Sequence, residues 1–454
     1  MPIAGYTPPL VAANGKPWNF IIINGDDWYR DTLRAMPKFL LNYAARGTYY
    51  PCASVNTPLC FPGRAATYTG WRVERHDAVH NGSGERYIAS GALANTIPVI
   101  LERAGYWNGF IGKIYNGLGE NGNGGFGELP WKHPGVHYMA GQWGAPNYFD
   151  WEELQADGTV RMTHGTADTN AAGTDYAVDV ERLRCVEFFD SVPAGRPWSL
   201  ILATKGTHQD SGGVAIPPAR YANTAVTLTE DASFGVDLTT MGHGSWSQAV
   251  AIVPWDAAAV TAARLGHTEA LRTALAVDDC IDTLRTELIA RSWDQNTIII
   301  IKCDNAHSGG EGCFDAKGVP HQSATDSVMW VYVPGVPGGT CRAPVSDIDV
   351  APFVYEMAGT APPIACHGMS FYPTLFDKGH PHRLAAPISN PEKDSPVFSA
   401  IQFGGNPGRM YYRILPTSAK GANQVGGYVD ASQTKNVITP GDAQILAAIE
   451  NARS

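Results

Sequence analysis

Residues 18–27, WNFIIINGDD, decide the fold class of this 454-residue chain. A continuous apolar run that ends in polar residues is typical of a strand buried on both faces, as in a parallel sheet. A second run of this kind covers 296–301 and is followed by the polar residues of 302–305, and two more lie at 198–203 and 328–333. These four runs predict the core strands of a large sheet.

Helical patterns lie between the predicted strands. Apolar spacing predicts helices at 36–45, at 97–104 and, as the longest, at 269–291. The longest has an apolar stripe formed by Leu271, Leu275, Ile281, Leu284 and Leu288. Alternating strands and helices predict an α/β fold, with a large, mostly parallel mixed sheet sandwiched by helices. Ligands bind beyond the carboxyl ends of the strands in such sheets, so we expect the functional site there.

The pattern changes after about residue 380, and we predict a domain boundary at that point. Residues 1–380 form the α/β domain, and residues 381–454 form a small antiparallel C-terminal subdomain. Within the subdomain, two short strands at 397–403 and 410–415 flank a glycine-rich turn, and a closing helix covers 442–452.

Composition and charge exclude several classes of protein. A formal net charge of −10 at pH 7 leaves no basic stripe to neutralise phosphates, so we expect no nucleic-acid partner. No apolar run of about 18 residues occurs, so we expect no membrane partner. No secretory signal is visible at the N-terminus. We therefore expect a cytoplasmic protein, or a periplasmic or secreted one if the chain starts at a mature end.

Two predicted strand ends carry oxygen ligands for a metal ion. Asp26 and Asp27 are adjacent carboxylates that would repel each other, and a cation between them would relieve the repulsion. Asp304 and Asn305 add a carboxylate and an amide oxygen at the second strand end. Four hard oxygen ligands favour Ca²⁺ or Mg²⁺ over zinc or copper. For one such pair alone, the competing interpretation is a turn or a helix cap.

One of the eight cysteines lies in a C-x-P-x-R element, the segment CFPGR at residues 60–64. The other cysteines form no C-x-x-C pair and are interpreted mostly as free buried thiols. Taken in order along residues 17 to 375, the chain resembles the type I sulfatases of the alkaline phosphatase superfamily. It is most similar to the branch that contains the N-acetylglucosamine-6-sulfatases. The resemblance rests on six ordered blocks at 19–27, 36–38, 57–64, 112–117, 277–305 and 346–352.

The resemblance implies an alkaline phosphatase-like fold and a sulfuric ester hydrolase. It implies that a formylglycine-generating enzyme oxidises Cys60 to Cα-formylglycine during maturation. The hydrate of this aldehyde would supply one hydroxyl as the nucleophile on sulfur and a second to expel the sulfate. The divalent ion, Ca²⁺ with Mg²⁺ as the alternative, would be bound by Asp26, Asp27, Cys60, Asp304 and Asn305.

The resemblance also assigns roles to the charged residues. Arg64 would hold the aldehyde hydrate or the network of metal ligands. Lys113 and Lys317 would bind the sulfate group and balance its charge in the transition state. His208 would be the general acid that protonates the leaving alcohol, and His307 would share that role or activate the nucleophile.

Three functions stay open at the level of the sequence. The first is hydrolysis of a sulfate ester of a sugar, a small alcohol or an aryl group. The second is hydrolysis of a phosphonate or phosphate ester on the same scaffold, since these anions are nearly isosteric with sulfate. The third is a non-catalytic binding or structural role with Cys60 unmodified. Gly63 bears on this choice, because the family commonly has Ser at its position in the C-x-P-x-R element.

Overall fold

A computed structural model gives the fold of the described residues, which are 10–118, 126, 130–144, 147–155, 158–166, 175–230, 234, 255–310, 317–318, 322–380, 382, 385–390, 398–403, 410–414 and 424–428. The strands are β1 (Asn19–Gly25), β2 (Thr48–Tyr49), β3 (Ala53–Ser54), β4 (Trp107–Gly112), β5 (Tyr138–Trp143), β6 (Glu152–Gln155), β7 (Val160–Thr163), β8 (Trp198–Ala203), β9 (Thr297–Cys303), β10 (Met329–Tyr332), β11 (Gly339–Thr340), β12 (Val345–Ser346), β13 (Ala385–Asn390), β14 (Phe398–Phe403), β15 (Met410–Ile414) and β16 (Gln424–Tyr428). The helices are α1 (Pro37–Asn42), α2 (Cys60–Thr69), α3 (Val73–His76), α4 (Gly84–Ala89), α5 (Ile97–Arg103), α6 (Ala177–Ser191), α7 (Ala257–Ala290), α8 (Gln322–Thr325), α9 (Val350–Met357) and α10 (Tyr372–Phe376). Short 3₁₀ helices cover Thr32–Ala35, Ala92–Asn95, Asp294–Asn296 and Asp347–Asp349.

A ten-stranded mixed sheet forms the centre of the protein, in the order β11-β2-β10-β9-β1-β8-β4-β5-β6-β7. Strands β9, β1, β8, β4 and β5 run parallel to one another. Strand β10 is antiparallel to β9, and β6 and β7 add antiparallel strands beyond β5. The four apolar runs of the sequence are β1, β8, β9 and β10, which confirms the predicted sheet and its parallel centre.

Helices cover both faces of the sheet, and the side chains of β1 alternate between them. Phe20 and Ile22 belong to the core that contains residues of α2, α5 and α9. Ile21 and Ile23 belong to the core on the other face, with residues of α1, α6 and α7. All four side chains are at most 1% exposed. A strand buried on both faces has no side for polar residues, which explains why the run is continuous rather than alternating.

The long helix extends further than its apolar stripe predicts. Helix α7 begins at Ala257, and the side chain of Asp256 accepts a hydrogen bond from the backbone nitrogen of Ala259 at 2.8 Å. This is an N-cap, which satisfies one of the free N–H groups of the first turn. The side chains of residues 257–266 are exposed or half-buried, so no apolar stripe marks this part of the helix.

Strands β3 and β12 form a small two-stranded sheet, and the C-terminal region forms a separate four-stranded sheet in the order β13-β14-β15-β16, with every neighbouring pair antiparallel. Strands β14 and β15 lie where the sequence predicts them, whereas the predicted helix at 442–452 lies outside the described residues. The domain boundary at 380/381 stays a prediction. None of the described helices combines the length and apolar character that a membrane crossing requires.

Helix α1 depends on a cap that comes from α7. The side chain of Asp278 accepts hydrogen bonds from the backbone nitrogens of Lys38 and Phe39, both at 2.7 Å.

Asp278→Ala should lower the free energy of unfolding by about 2 kcal/mol, because two N–H groups in the first turn of α1 lose their partner. Asp282→Ala is the matched control on the same helix, since that carboxylate lies 3.8 Å from the Lys38 ammonium and is 36% exposed. It should cost about 0.5 kcal/mol or less. Urea denaturation of both variants measures the difference, and equal losses would contradict the assigned cap.

Candidate active site

Parallel pairing of β1 with β9 brings the two pairs of predicted metal ligands together. Gly25 pairs with Cys303 in register, so the residues that follow each strand leave the sheet side by side. The amide nitrogen of Asn305 donates a hydrogen bond to Asp27 Oδ1 at 2.6 Å. The backbone nitrogen of Asp27 donates to Asp304 Oδ1 at 3.4 Å. The sequence predicts this cluster from two strand ends, and the register of the ladder is the reason that it forms.

Helix α2 carries Cys60 into the same place. Cys60 is the first residue of the helix, and its Sγ lies 3.9 Å from Asp27 Oδ1. Arg64 follows one turn later on the same side of the helix. Its Nε donates to Asp304 Oδ2 at 2.8 Å, and its Nη2 lies 3.4 Å from Asp26 Oδ2. Arg64 therefore bridges the carboxylates at the ends of β1 and β9, which fits its predicted contact with the metal ligands.

Gly63 sets how closely α2 approaches the strand end. A Cβ built at Gly63 would lie 2.1 Å from the backbone oxygen of Asp304. No side chain fits there without moving the helix away from β9, because the obstacle is backbone and not the flexible end of a side chain. The sequence marks Gly63 only as a departure from the family pattern. The structure gives its physical reason, which is close contact between α2 and the metal-ligand segment.

Two lysines complete the charge balance of the cluster. Lys113 directly follows β4, and its Nζ lies 2.5 Å from Asp26 Oδ2. Lys317 Nζ lies 2.8 Å from both carboxylate oxygens of Asp27 and 2.9 Å from Cys60 Sγ. Both lysines thus pair with predicted metal ligands, and Lys317 also contacts Cys60. Their role in binding a sulfate group stays a prediction.

Burial and the neighbouring charges shift the pKa values of the cluster in opposite directions. Burial raises the pKa of Cys60 to about 12, although Lys113 and Lys317 oppose the rise. The thiol is therefore protonated at neutral pH and is a poor nucleophile as it stands. Burial also acts to raise the pKa of Asp27, but Lys317 and His208 outweigh it, and the net pKa falls well below the usual range.

The two predicted site histidines flank the cluster. His208 follows β8, and its Nε2 lies 3.4 Å from Asp27 Oδ2. Burial, with the charge of Lys113, lowers its pKa to about 3, so the ring is neutral before a substrate binds. The backbone nitrogen of His307 donates to the Trp28 oxygen at 3.2 Å, and its ring packs against Tyr29 with centroids 4.8 Å apart. Burial lowers the pKa of His307 as well.

The residues present fit a hard divalent cation. Ligand atoms of Asp26, Asp27, Cys60 and His208 all lie within 4.8 Å of one another. Asp26 Oδ1 and Asn305 Oδ1 are buried and have no hydrogen-bond partner among the residues that the structure describes. Buried oxygen acceptors without a partner are costly. A cation bound beside them would satisfy both, and the oxygens of Asp26, Asp27, Asp304 and Asn305 suit Ca²⁺ or Mg²⁺.

Sequence reasoning missed a buried lysine next to His208. Lys205 Nζ lies 3.2 Å from His208 Nδ1 and donates to the Gln209 backbone oxygen at 2.9 Å. Its backbone nitrogen donates to Glu181 Oε1 at 3.0 Å. The available signal was its position, two residues after the end of β8, at the same edge of the sheet as the predicted ligands.

A second missed lysine lies beneath the site. Lys302, inside β9, is fully buried, and its Nζ donates to Asn24 Oδ1 at 3.1 Å and to Thr67 Oγ1 at 3.0 Å. It thereby ties β1 and β9 to α2, the helix that carries Cys60, the predicted nucleophile position. The apolar run that predicts β9 ends immediately before Lys302, so nothing in the pattern indicates that this ammonium points inward.

Comparison with known proteins identifies the family. A family model described as Sulfatase matches residues 18–360. The N-acetylglucosamine-6-sulfatase of Capra hircus is 26% identical over 340 residues, which cover 72% of this chain and 58% of that protein. The N-acetylglucosamine-6-sulfatase of Homo sapiens is likewise 26% identical over 340 residues, which cover 72% of this chain and 58% of that protein. The chain thus spans less than two thirds of the length of the curated relatives that it matches.

Solved structures share the fold over nearly the whole chain. One of them, a complex with its substrate D-glucosamine-2-N,6-O-disulfate, superimposes with a TM-score of 0.72 at 17% identity and covers 96% of both chains. The phosphonate monoester hydrolase from Silicibacter pomeroyi superimposes with a TM-score of 0.70 at 17% identity, covering 96% of this chain and 94% of that one. Since the family model matches most of the sequence, the chain belongs to the sulfatase family of the alkaline phosphatase superfamily. The resemblance and the fold class predicted from the sequence are confirmed.

The close approach at Gly63 generates a test of the site. Gly63→Ser should lower the free energy of unfolding by about 2 kcal/mol and weaken Ca²⁺ binding, because the added Cβ forces α2 away from Asp304. Gly266→Ser is the matched control in α7, where a Cβ meets nothing within 4 Å. It should stabilise the protein by about 0.5 kcal/mol through helix propensity. Denaturation measures the free energy of unfolding, and calorimetric titration measures Ca²⁺ affinity. Wild-type stability and affinity in Gly63→Ser would show that a side chain fits between α2 and Asp304.

Proposed function

We propose that the protein hydrolyses sulfate esters, with Cys60 converted to formylglycine and a divalent cation bound beside it. The observation that carries the proposal is the convergence of seven predicted residues on one buried point: Asp26, Asp27, Cys60, Arg64, Lys113, Asp304 and Lys317. They come from three strand ends, one helix and one loop. Buried charges that gather in this way are typical of catalytic sites, because such charges cost stability unless they are paired.

The cation and the formylglycine hydrate supply a Lewis acid and a hydroxyl nucleophile when they are present. Asp26, Asp27, Asp304 and Asn305 would hold the cation, with position 60 as the fifth ligand. Arg64 fixes the orientation of Asp26 and Asp304, so that the ligand oxygens are arranged before substrate arrives.

Binding and orienting the sulfate group falls to Lys113 and Lys317. Their ammonium groups lie on Asp26 and Asp27 at 2.5 and 2.8 Å, next to position 60. A cation on the same carboxylates would share those contacts and leave ammonium protons for the sulfate oxygens. The two charges would then offset negative charge that spreads over the sulfate oxygens in the transition state.

Proton transfer to the leaving alcohol is assigned to His208. Its ring is half-buried at the edge of the cluster, with Nε2 directed toward Asp27 and Nδ1 next to Lys205. The neutral ring has to gain a proton for this role. A bound sulfate ester brings negative charge next to the imidazole and raises its pKa, which favours that proton. His307, four residues after the end of β9, would assist the nucleophile.

The relatives suggest the class of substrate. Curated relatives are named N-acetylglucosamine-6-sulfatases, and one structural neighbour binds D-glucosamine-2-N,6-O-disulfate as its substrate. We extend this to a sulfated saccharide as the substrate of this chain. A formylglycine-generating enzyme is the partner that the proposal requires during maturation.

Cys60→Ala tests the nucleophile. Turnover of an aryl sulfate should fall by about 10³-fold or more, because the position that supplies the nucleophile is lost. Cys366→Ala is the matched control. That thiol is only partly buried, and it contacts the Thr69 oxygen at the opposite end of α2, so turnover should stay within about twofold of the wild type. Undiminished turnover by Cys60→Ala would exclude the proposal.

Mass spectrometry of the peptide that contains Cys60 separates catalysis from a non-catalytic role. Formylglycine is lighter than cysteine, so protein produced together with the modifying enzyme should show the lower mass. An unmodified thiol in that protein would favour the binding or structural alternative.

Turnover of matched aryl sulfate and aryl phosphonate esters separates the two hydrolase functions. A large preference for the phosphonate would favour the second candidate function, which the structural similarity to a phosphonate monoester hydrolase supports.

Metal removal gives a further test. A chelator should abolish turnover, and Ca²⁺ should restore it better than Zn²⁺, because the ligand set consists of hard oxygens. Asp26→Asn should raise the Ca²⁺ concentration needed for half-maximal recovery by about tenfold or more, since it removes a charged ligand. Asp77→Asn is the control, because that carboxylate is 39% exposed and pairs with Arg86 away from the cluster. Recovery that is equally easy in both variants would contradict the assigned ligands.

A further inference from the structure

A small polar cavity opens beside the site and has no part in the chemistry described above. Its volume is about 220 Å³, comparable to the space that one sugar ring fills. It lies between the segment that follows β1, strand β2 and the first half of α7. Its lining consists of Tyr29, Arg30, Asp31, Arg34, Tyr49, Thr229 and His267.

Tyr29 connects the cavity to the candidate site through its ring contacts. Tyr29 stacks on His267 with centroids 4.0 Å apart, and its ring also packs against the ring of His307 at 4.8 Å. Because a residue spans at most about 3.6 Å of extended chain, the Cα of Arg30 lies within roughly 11 Å of the Cα of Asp27. One sugar unit linked to the sulfated one can cover such a distance.

The charge that the cavity offers to a ligand is positive. Its one lining carboxylate is already engaged, since Asp31 accepts from the Thr229 backbone nitrogen at 2.8 Å and lies 2.8 Å from His267 Nε2. Arg30 pairs with Asp326 at 3.2 Å and remains 36% exposed. The guanidinium of Arg34 is exposed as well.

Tyr49 lies in the wall of the same cavity as the two arginines, Arg30 and Arg34. Burial and the charge of Asp326 raise the pKa of the Tyr49 hydroxyl, and the charges of Arg30 and Arg34 oppose that rise. Tyr49 itself is 37% exposed and presents an apolar ring face with a polar edge, which suits the two kinds of surface on a sugar. An arginine pair beside an exposed tyrosine is suited to an anionic saccharide.

We infer that this cavity binds an anionic substituent, a carboxylate or a second sulfate, on the sugar next to the one whose sulfate ester is cleaved. The inference rests on the proposed function, and it adds that the preferred substrate is a saccharide with at least two negative charges. Arg34 is the main contact, because it is exposed and forms no ion pair with any of the described residues.

Arg34→Met tests the inference through KM. For a sulfated disaccharide with an additional uronate or sulfate group, KM should rise roughly tenfold, as expected when a charge-assisted hydrogen bond is lost. For a small aryl sulfate, KM should stay within about twofold, and kcat should be unchanged for both substrates. Arg34→Lys should recover part of the loss, since it keeps the charge but not the planar fork. Comparing the uronate and disulfate substrates identifies which anion the cavity takes.

Arg103→Met is the matched control. Arg103 is an exposed arginine at the end of α5, just before the chain enters β4 from the edge of the sheet opposite to the site. The Arg103→Met substitution removes the same charge from the protein at a distance from the cavity, so the KM values of this variant should stay at the wild-type level. An equal rise of KM for both substrates in Arg34→Met, or no rise for the doubly charged one, would overturn the inference.

A calorimetric titration keeps the inference separate from the proposed activity. The doubly charged disaccharide should bind the wild type roughly tenfold more tightly than it binds Arg34→Met, whether or not turnover occurs. A wild-type protein that hydrolyses no sulfate ester but shows this difference would refute the activity and support the cavity. If wild type and Arg34→Met bind the disaccharide with equal affinity and the wild type hydrolyses sulfate esters, the activity is supported and the cavity inference is refuted.

Discussion

Negative charge buried at the ends of β1 and β9 has to be neutralised, and most of the site is arranged around that requirement. Asp26, Asp27 and Asp304 are almost completely removed from solvent. Isolated carboxylates are too costly in such a place. Arg64 from α2 pairs with Asp26 and Asp304. The ammonium group of Lys113 pairs with Asp26, and that of Lys317 pairs with Asp27. A divalent cation would add to this balance, because Asp26 Oδ1 and Asn305 Oδ1 have no hydrogen-bond partner within the described part of the chain.

Closeness is the second constraint, and it links the chemistry to the packing of the fold. Charges neutralise one another only at short range, so α2 has to lie directly against the end of β9. Gly63 permits this approach, since a Cβ there would enter the backbone of Asp304. Lys302 acts from beneath by joining β1, β9 and α2 through buried hydrogen bonds. Position 60 is thereby held next to the carboxylates by contacts that take no part in catalysis themselves.

Much of this arrangement follows from the sequence because its signals are local. The continuous apolar runs predict β1, β8, β9 and β10, and the polar residues after β1 and β9 predict the ligand cluster. The long helix is also recognisable, but its first twelve residues, 257–268, are not, since mostly exposed or half-buried side chains leave no stripe and only the Asp256 cap marks the start. Position after a strand was the available signal for Lys205, whereas Lys302 could not be assigned from pattern, because a lysine at a strand end looks the same whether it faces solvent or buried oxygens.

The sequence by itself determined the fold class, the family and the residue types of the site, because continuous apolar runs, helical spacing and the C-x-P-x-R element are properties of nearby residues. Tertiary structure alone decided the register of β1 against β9, the contact of Gly63 with Asp304, and the cavity behind Tyr29. These features join residues far apart in the chain, and their distances depend on how helices and strands pack. The packing, and not the pattern, therefore turns a set of candidate residues into one site with a second, positively charged cavity beside it.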